Sequence, residues 1–394
     1  MGIYPYCFNN KIDLVKSGQP FFNRLEELIK NAKSEIHFQI YIFEPDETGK
    51  VIADLLIEAA QRGVKIYLVM DAYGSKNFPE SWQSRFKNAG IELYFFSPLK
   101  IGNYFHMGMR LHHKIICFDR QFAMVGGINI SDNYSGYNQE LPWLDFALFV
   151  EGKILQDLIQ ICKGTLKTVN SPFKKQKNLF PKEIIKDQTP VAARVLQNNW
   201  LQAKFGITRQ YRKKIRKAET QITIFGSYFI PSIGLKRSLK RAAQRGVSVN
   251  IILGAISDVG IVKHATEYFY SDMLLAGIHL YEWKESVLHG KLALIDNNWL
   301  SVGSYNINHL SDFGSIECNL EIKDEAFCKN TALQVNQIIQ EGCESLSLLQ
   351  YKKRYGLFSE IYNALCYGLV RLSLNFLFFL QGRNSRRKVF AHQL

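Results

Sequence analysis

The string HxKxxxxD occurs twice in the chain, at His112-His113-Lys114…Asp119 and at His289-Gly290-Lys291…Asp296. After six intervening residues beyond each aspartate the same kind of tail follows, Gly126-Gly127-Ile128-Asn129 in one place and Gly303-Ser304-Tyr305-Asn306 in the other. At ordinary residue frequencies one such string arises by chance about once per ten thousand positions, so two with matching tails imply a duplicated unit. The self-similarity runs well beyond the motifs. AAQRGVKIYLVM (59–70) returns as AAQRGVSVNIIL (242–253), AGIELYFF (89–96) as AGIHLYEW (276–283), and SEIHFQIYIF (34–43) as TQITIFGSYF (220–229). A chain repeated in this way is constrained to fold as two similar halves, each contributing one half-site.

Within each half the pattern predicts strand, helix, strand, helix, strand, and then the motif on a final strand pair. The runs 36–43 and 222–229 are rich in β-branched and aromatic residues, as strands prefer. Residues 49–61 carry Val51, Leu55, Leu56, Ala59 and Ala60 at helical spacing, and Gly63 closes the helix. Residues 65–70 form a compact apolar run suited to a strand covered by helices. Alternating strands and helices argue an α/β sandwich in each half. The apolar runs 115–118 and 292–295 would hold His and Lys at one end of a strand and Asp at the other.

At 394 residues the chain is long enough for two domains with sizeable cores. Its seven cysteines are scattered without metal-binding spacing, as expected of buried free thiols in a reducing compartment. The first eighteen residues lack a basic start followed by an apolar stretch, so no signal peptide is expected. A net charge of +14 calls for an anionic partner, nucleic acid or an acidic lipid surface. Residues 351–394 hold eight Lys and Arg against Glu360 alone, a net +7 that is half of the excess. The same segment contains the apolar run 374–380, and Glu360, Asn363, Arg371 and Asn375 would form one narrow polar stripe on a helix. Basic ends beside a wide apolar face predict an interfacial membrane helix. A spanning helix is disfavoured, because Arg371 near its middle would cost about 2.5–3.5 kcal/mol. The stretch 164–190, rich in Lys, Ser, Thr and Pro, reads as the connector between halves.

Docked together, the two half-sites match the needs of phosphodiester chemistry. One unprotonated imidazole, of His112 or His289, attacks phosphorus, and the other, protonated, hands its proton to the leaving alkoxide. Lys114 and Lys291 neutralise the non-bridging oxygens, and Asn129 and Asn306 donate further hydrogen bonds to them. Two lysines leave no need for a metal, and neither a metal nor an organic cofactor is expected. A histidine in such a role needs an acceptor on its far nitrogen, and Asp145 and Glu317, each leading into an apolar strand, are the candidate orienters. Asp119 and Asp296 are counted with the motif, holding lysine or backbone rather than touching substrate. Strand alternation turns His113 away from the site, and His106 and Arg110 read as a polar loop before the motif.

These residues resemble the phospholipase D superfamily, whose paired HKD motifs match HHKIICFD and HGKLALID and whose G-[GS]-x-N tails match GGIN and GSYN. Segments such as QIYIFEPDETGKVIADLLIEAAQRGVKIYLVMDAYGS and GSYNINHLSDFGSIECNLEI look like the cardiolipin synthase branch, and the likeness covers about residues 34–325. The resemblance implies two tandem α/β/α sandwich domains with pseudo-twofold symmetry, at 1–163 and 196–345, joined by a linker at 164–195. A basic amphipathic membrane-associating tail would occupy 346–394. It also implies phosphatidyl transfer from phosphatidylglycerol through a phosphohistidine to a second lipid alcohol, with release of glycerol, His112 as nucleophile and His289 as acid and base. The chain more resembles the branch without an N-terminal transmembrane pair, so it is expected at the cytoplasmic side of the cell membrane, peripheral, on anionic phospholipid. No obligatory protein partner is implied and the oligomeric state stays open. Three rivals share the sequence: a lipid hydrolase that lets water resolve the phosphohistidine, a nuclease, and a non-catalytic membrane module. Nucleic acid is the weaker partner, since half the charge excess lies in the apolar tail. A module freed from catalysis would be expected to lose one motif.

Overall fold

A computed structural model describes residues 2–98, 110–137, 141–169, 191–199 and 202–380. His106, most of the connector and the basic residues beyond 380 lie outside the described residues. The first half supplies β1 (Asn10–Lys16), β2 (Glu35–Ile40), β3 (Lys65–Asp71), β4 (Glu92–Phe96), β5 (Arg110–Leu111), β6 (Lys114–Phe118), β7 (Phe122–Gly126) and β8 (Phe146–Gly152). The second supplies β9 (Ala193–Asn199), β10 (Lys204–Phe205), β11 (Gln221–Gly226), β12 (Ser248–Gly254), β13 (His279–Trp283), β14 (Lys291–Ile295), β15 (Trp299–Gly303), β16 (Ser315–Ile322) and β17 (Cys343–Leu346). They make two mixed sheets, ordered β1-β8-β7-β6-β2-β3-β4 and β10-β9-β16-β15-β14-β11-β12-β13-β17. In each, three parallel strands joined by helices (β2-β3-β4 and β11-β12-β13) lie beside an antiparallel motif pair (β6-β7 and β14-β15). The expected strand–helix alternation is present, and the antiparallel strands beyond the motif pair, β8 with β1 and β16 with β9, enlarge it.

Alternation of side chains across each strand divides the core. Ile116 and Phe118 of β6 face the first half's own helices, while Ile115 and Cys117 face inward to a core shared with Leu292 and Leu294 of β14. Ala293 and Ile295 face the second half's helices. The inner faces of the two sheets thus bury one another, with the helices Leu155–Val169 and Glu325–Gly342 packed into the same core. The halves also exchange backbone. Ile3 and Cys7 bridge to Leu196 and Ala193 of β9, β5 pairs with β16, and Leu144 bridges to Leu288. The connector expected at 164–195 is shorter than read. Residues 164–169 finish the helix Leu155–Val169, and Ala193 already begins β9.

The polar stripe expected along the C-terminal helix does not stay together. In the helix Leu357–Leu380, Asn363 is buried and its Oδ1 lies 3.0 Å from His264 Nδ1, while Glu360 and Arg371 stay exposed. Asn363, Cys366, Tyr367 and Val370 turn inward, where Tyr367 stacks on Tyr268 at 4.7 Å between ring centroids. The helix lies on the helix Gly260–Glu267 of the second half. Asn363 turns in together with Tyr367 and Val370, which pack on the second half's core, and a wide apolar face is left outside. Phe358 is 88% exposed and Leu357 71%, with Ile361, Leu365, Leu369 and Leu372 beside them. Among the described residues no helix is long and apolar enough to cross a membrane.

Asp119 and Asp296, grouped with the catalytic residues on the motif alone, sit at the far end of the motif strands from the histidines. Each opens a tight turn between the motif pair with two consecutive residues at positive φ, Asp119 at 50° with Arg120 at 58° and Asp296 at 51° with Asn297 at 49°. Such left-handed pairs suit hairpins, and Asp and Asn tolerate them better than most residues. The Asp119 carboxylate accepts from the amides of Lys33, Ser34 and Glu35, and that of Asp296 from the amides of Glu219, Thr220 and Gln221. Both clamp the hairpin to the head of the neighbouring parallel strand, and neither reaches the site. Those bonds hold each carboxyl below its ordinary range. Asp119→Ala and Asp296→Ala are each expected to lower unfolding stability by about 1–3 kcal/mol. A urea titration showing an unmoved midpoint for both would contradict the clamp.

Candidate active site

The motif histidines stand at the entry to β6 and β14, and the backbone that fixes each one comes from the other half. The amide of His112 donates to Ile316 O at 3.1 Å, and the amide of His289 donates to Leu144 O at 2.8 Å. Ile316 precedes Glu317 and Leu144 precedes Asp145, so each histidine is laid beside the carboxylate of the opposite half. His112 Nδ1 lies 2.9 Å from Glu317 Oε2, and His289 Nδ1 lies 2.6 Å from Asp145 Oδ2. With each carboxylate accepting a hydrogen bond from Nδ1–H, Nε2 of both neutral rings is left with its lone pair free. Asp145 and Glu317 are thus placed against the two histidines, but crosswise. Spacing along the chain puts each carboxylate after its own motif and carries no sign of the exchange.

The glycine-rich tails follow from these carboxylates. A Cβ at Gly127 would meet the Asp145 carboxylate oxygens at 2.4 and 2.5 Å. Glu317 is one methylene longer, and the equivalent Ser304 fits, donating its hydroxyl to Glu317 Oε2. Lys114 Nζ donates to His112 O at 2.6 Å, and Lys291 likewise donates to His289 O and lies 3.5 Å from Asp145 Oδ2. The two asparagines differ. Asn306 Oδ1 accepts from Ser227 Oγ at 2.8 Å. Asn129 Oδ1 accepts from Ile42 N, and its amide donates to Tyr134 Oη at 3.0 Å, so one donor expected for phosphate is engaged by a tyrosine. His113 is turned away and buried, its Nε2 2.7 Å from Gln39 Oε1. Arg110, read as part of a polar loop, pairs with the buried Asp71 at 3.2 Å and braces β5.

Residues not singled out in the sequence complete the walls. Tyr134 Oη lies 3.2 Å from His289 Nδ1, and the rings of Tyr134, Trp143 and Tyr228 approach that of His289 at 5.3, 6.0 and 5.9 Å. Around His112 the corresponding contact is with Tyr41 at 4.9 Å. Tyr134 and Trp143 lie between the first tail and Asp145, and Tyr41 and Tyr228 just past the ends of β2 and β11, but nothing in their spacing separates wall from core. The enclosure differs accordingly, with the His112 side chain 13% exposed and that of His289 6%. Among the described residues no group of three His, Cys, Asp or Glu side chains could hold a metal ion.

Burial and the crowding of positive charge act together on these groups. Desolvation, with the Lys291 ammonium beside it, brings His289 down to about 4. His112 is lowered by burial against the opposing pull of Glu317. Lys114 falls to about 7, through burial and then Lys291, and Lys291 is lowered mainly by burial. With Lys114 at about 7, its ammonium is only partly present near neutrality, and the negative charge of an entering phosphodiester favours protonating that lysine or an imidazole. Binding of inorganic phosphate or vanadate between about pH 7 and 8 is therefore expected to take up protons. Calorimetry in buffers of different ionisation enthalpy reads this directly, and binding with no proton exchange would contradict it.

A family model described as "Cardiolipin synthase, PLD-like domain" matches residues 25–159 and again 211–339, once over each half. The chain is 30% identical over 348 residues to cardiolipin synthase B of Salmonella typhimurium, covering 88% of this chain and 84% of that one. It is 32% identical over 348 residues to cardiolipin synthase 1 of Staphylococcus epidermidis, covering 87% of this chain and 70% of that one. In fold it is similar to the crystal structure of phosphatidylserine synthase from Haemophilus influenzae, with TM-score 0.70 at 16% identity over 93% of this chain and 94% of that one. A match to both halves and identity along most of the chain fit the doubled site described above, and the chain belongs to the phospholipase D superfamily of enzymes, in its cardiolipin synthase, PLD-like domain family.

Proposed function

We propose that this enzyme is a cardiolipin synthase-type phosphatidyltransferase, moving a phosphatidyl group from phosphatidylglycerol to the head-group hydroxyl of a second phospholipid. The observation that carries the reading is the pair of histidines, each with Nδ1 on a buried carboxylate of the other half, in a chain similar to named cardiolipin synthases along most of its length. His112 Nε2 attacks phosphorus in line, and the bond to the glycerol oxygen breaks as that oxygen takes the proton from His289 Nε2. In the second half-reaction the acceptor hydroxyl gives its proton to His289 Nε2 and attacks phosphorus. The phosphorus–nitrogen bond breaks and its electron pair returns to His112. Lys114, Lys291 and the amide of Asn306 meet the non-bridging oxygens, and Asn129 acts through Tyr134. The more enclosed His289 suits the proton-transfer role, because alkoxide and acceptor are then activated away from bulk water.

The acceptor and donor both lie in a bilayer, and the exposed apolar face of the helix Leu357–Leu380 is the surface offered to it. Each large apolar side chain withdrawn from water contributes about 1.5–3 kcal/mol. The basic residues that follow in the sequence add attraction to anionic lipid at the cytoplasmic surface of the membrane. Phe358→Asp with Leu365→Asp is expected to weaken co-sedimentation with phosphatidylglycerol vesicles at least tenfold. Unchanged sedimentation would remove the helix from the membrane interface.

Purified protein incubated with phosphatidylglycerol vesicles is expected to yield cardiolipin and free glycerol by mass spectrometry, and neither from His112→Ala or His289→Ala. Phosphatidic acid as the sole product would make the protein a hydrolase. Substantial turnover in either variant would sink the shared site.

A further inference from the structure

The duplicated core is nearly symmetric, so it cannot by itself tell the lipid that donates the phosphatidyl group from the lipid that accepts it. That discrimination has to come from residues where the halves differ. Aligned on AAQRGV (59–64 and 242–247), the position of Ser75 in the first half is taken by Asp258 in the second, both at an offset of 183. Ser75 is buried, its hydroxyl donating to Tyr41 O and accepting from Phe43 N, and so it does nothing but hold backbone. Asp258 is exposed, on the loop after β12, and accepts from Tyr228 Oη at 2.7 Å. Tyr228 in turn sets its ring edge-on to His289 at 5.9 Å, and Asn308 Nδ2 donates to its carbonyl. The loop abuts the motif directly, since a Cβ at Gly254 would lie 3.3 Å from the Cβ of Leu288, the residue before His289.

A carboxylate at the mouth of a site for anionic phosphodiesters repels its substrate, so phosphate binding does not account for it. Tyr228 supplies one hydrogen bond and leaves the rest of an exposed carboxylate's acceptor capacity free. What such a group recognises is a hydrogen-bond donor close to the hydroxyl that His289 deprotonates. We infer that Asp258, held by Tyr228, is a specificity-determining residue that accepts a hydrogen bond from a second hydroxyl on the acceptor head group, selecting a vicinal diol over a simple alcohol or water. The inference rests on the transferase reading above and names the residue that reads the acceptor. Asp258 makes and breaks no bond. Through the diol it holds the attacking oxygen near His289 Nε2.

The test is a competition in one vial. Phosphatidylglycerol vesicles with added 1-propanol offer the same phosphohistidine two acceptors, one a diol and one not, and mass spectrometry reads the ratio of cardiolipin to phosphatidylpropanol. Any loss of activity common to both products cancels in that ratio, which separates head-group reading from a merely structural role. Asp258→Ala is expected to lower the ratio about ten- to a hundredfold, the range of a hydrogen bond to a charged group. Asp258→Asn, which keeps an acceptor oxygen, should fall between. A ratio unchanged in Asp258→Ala while both products still form overturns this inference and leaves the transferase reading intact. Wild-type protein that forms neither product overturns the transferase reading, and this inference with it.

Discussion

Two backbone hydrogen bonds across the middle of the molecule, from His112 to Ile316 and from His289 to Leu144, set the geometry on which the rest depends. Each places a motif histidine one residue from a carboxylate that belongs to the other half, so neither half holds an oriented imidazole alone. The shared core between the sheets makes the exchange rigid. Ile115 and Cys117 of one motif strand and Leu292 and Leu294 of the other bury the same space, and a shift of either sheet would misplace both histidines together. Densely packed interiors transmit such shifts rather than absorb them.

Buried charge is the second consequence of this arrangement. Lys114, Lys291, Asp145 and Glu317 are withdrawn from water at the junction. Ions are costly to bury unless paired, and the Lys291–Asp145 pair, at 3.5 Å, is made between halves. The lowered affinity of His289 and Lys114 for protons describes a site without substrate. An anion at the site raises that affinity again, because its charge opposes both burial and the neighbouring ammonium.

Departures from symmetry give the two motif histidines different surroundings. Tyr134, Trp143 and Tyr228 enclose His289, whereas Tyr41 alone among these ring contacts meets His112. Asn129 is engaged by Tyr134 while its counterpart Asn306 is held by Ser227. The C-terminal helix bears on the helix Gly260–Glu267, which follows the Asp258 loop.

The doubled HxKxxxxD string and its tails determined a two-half α/β fold and the identity of the paired histidines and lysines, because those depend on local spacing and on the period of apolar residues. Asp145 and Glu317 were legible as carboxylates leading into apolar strands. Their crosswise pairing was not, because it depends on contacts between residues 144 and 205 positions apart in the chain. Asp119 and Asp296 carried the motif's spacing yet clamp hairpin backbone, since a strand of five residues separates its two ends too far for both to reach one phosphate. The polar stripe of the last helix was readable as a pattern, but which residues turn inward depends on the surface it meets, where Asn363 contacts His264 and Tyr367 and Val370 pack on the second half's core. Sequence determined what each half could be. Tertiary structure decided which half serves which histidine, because a carboxylate orients the imidazole it can touch, whichever motif it follows along the chain.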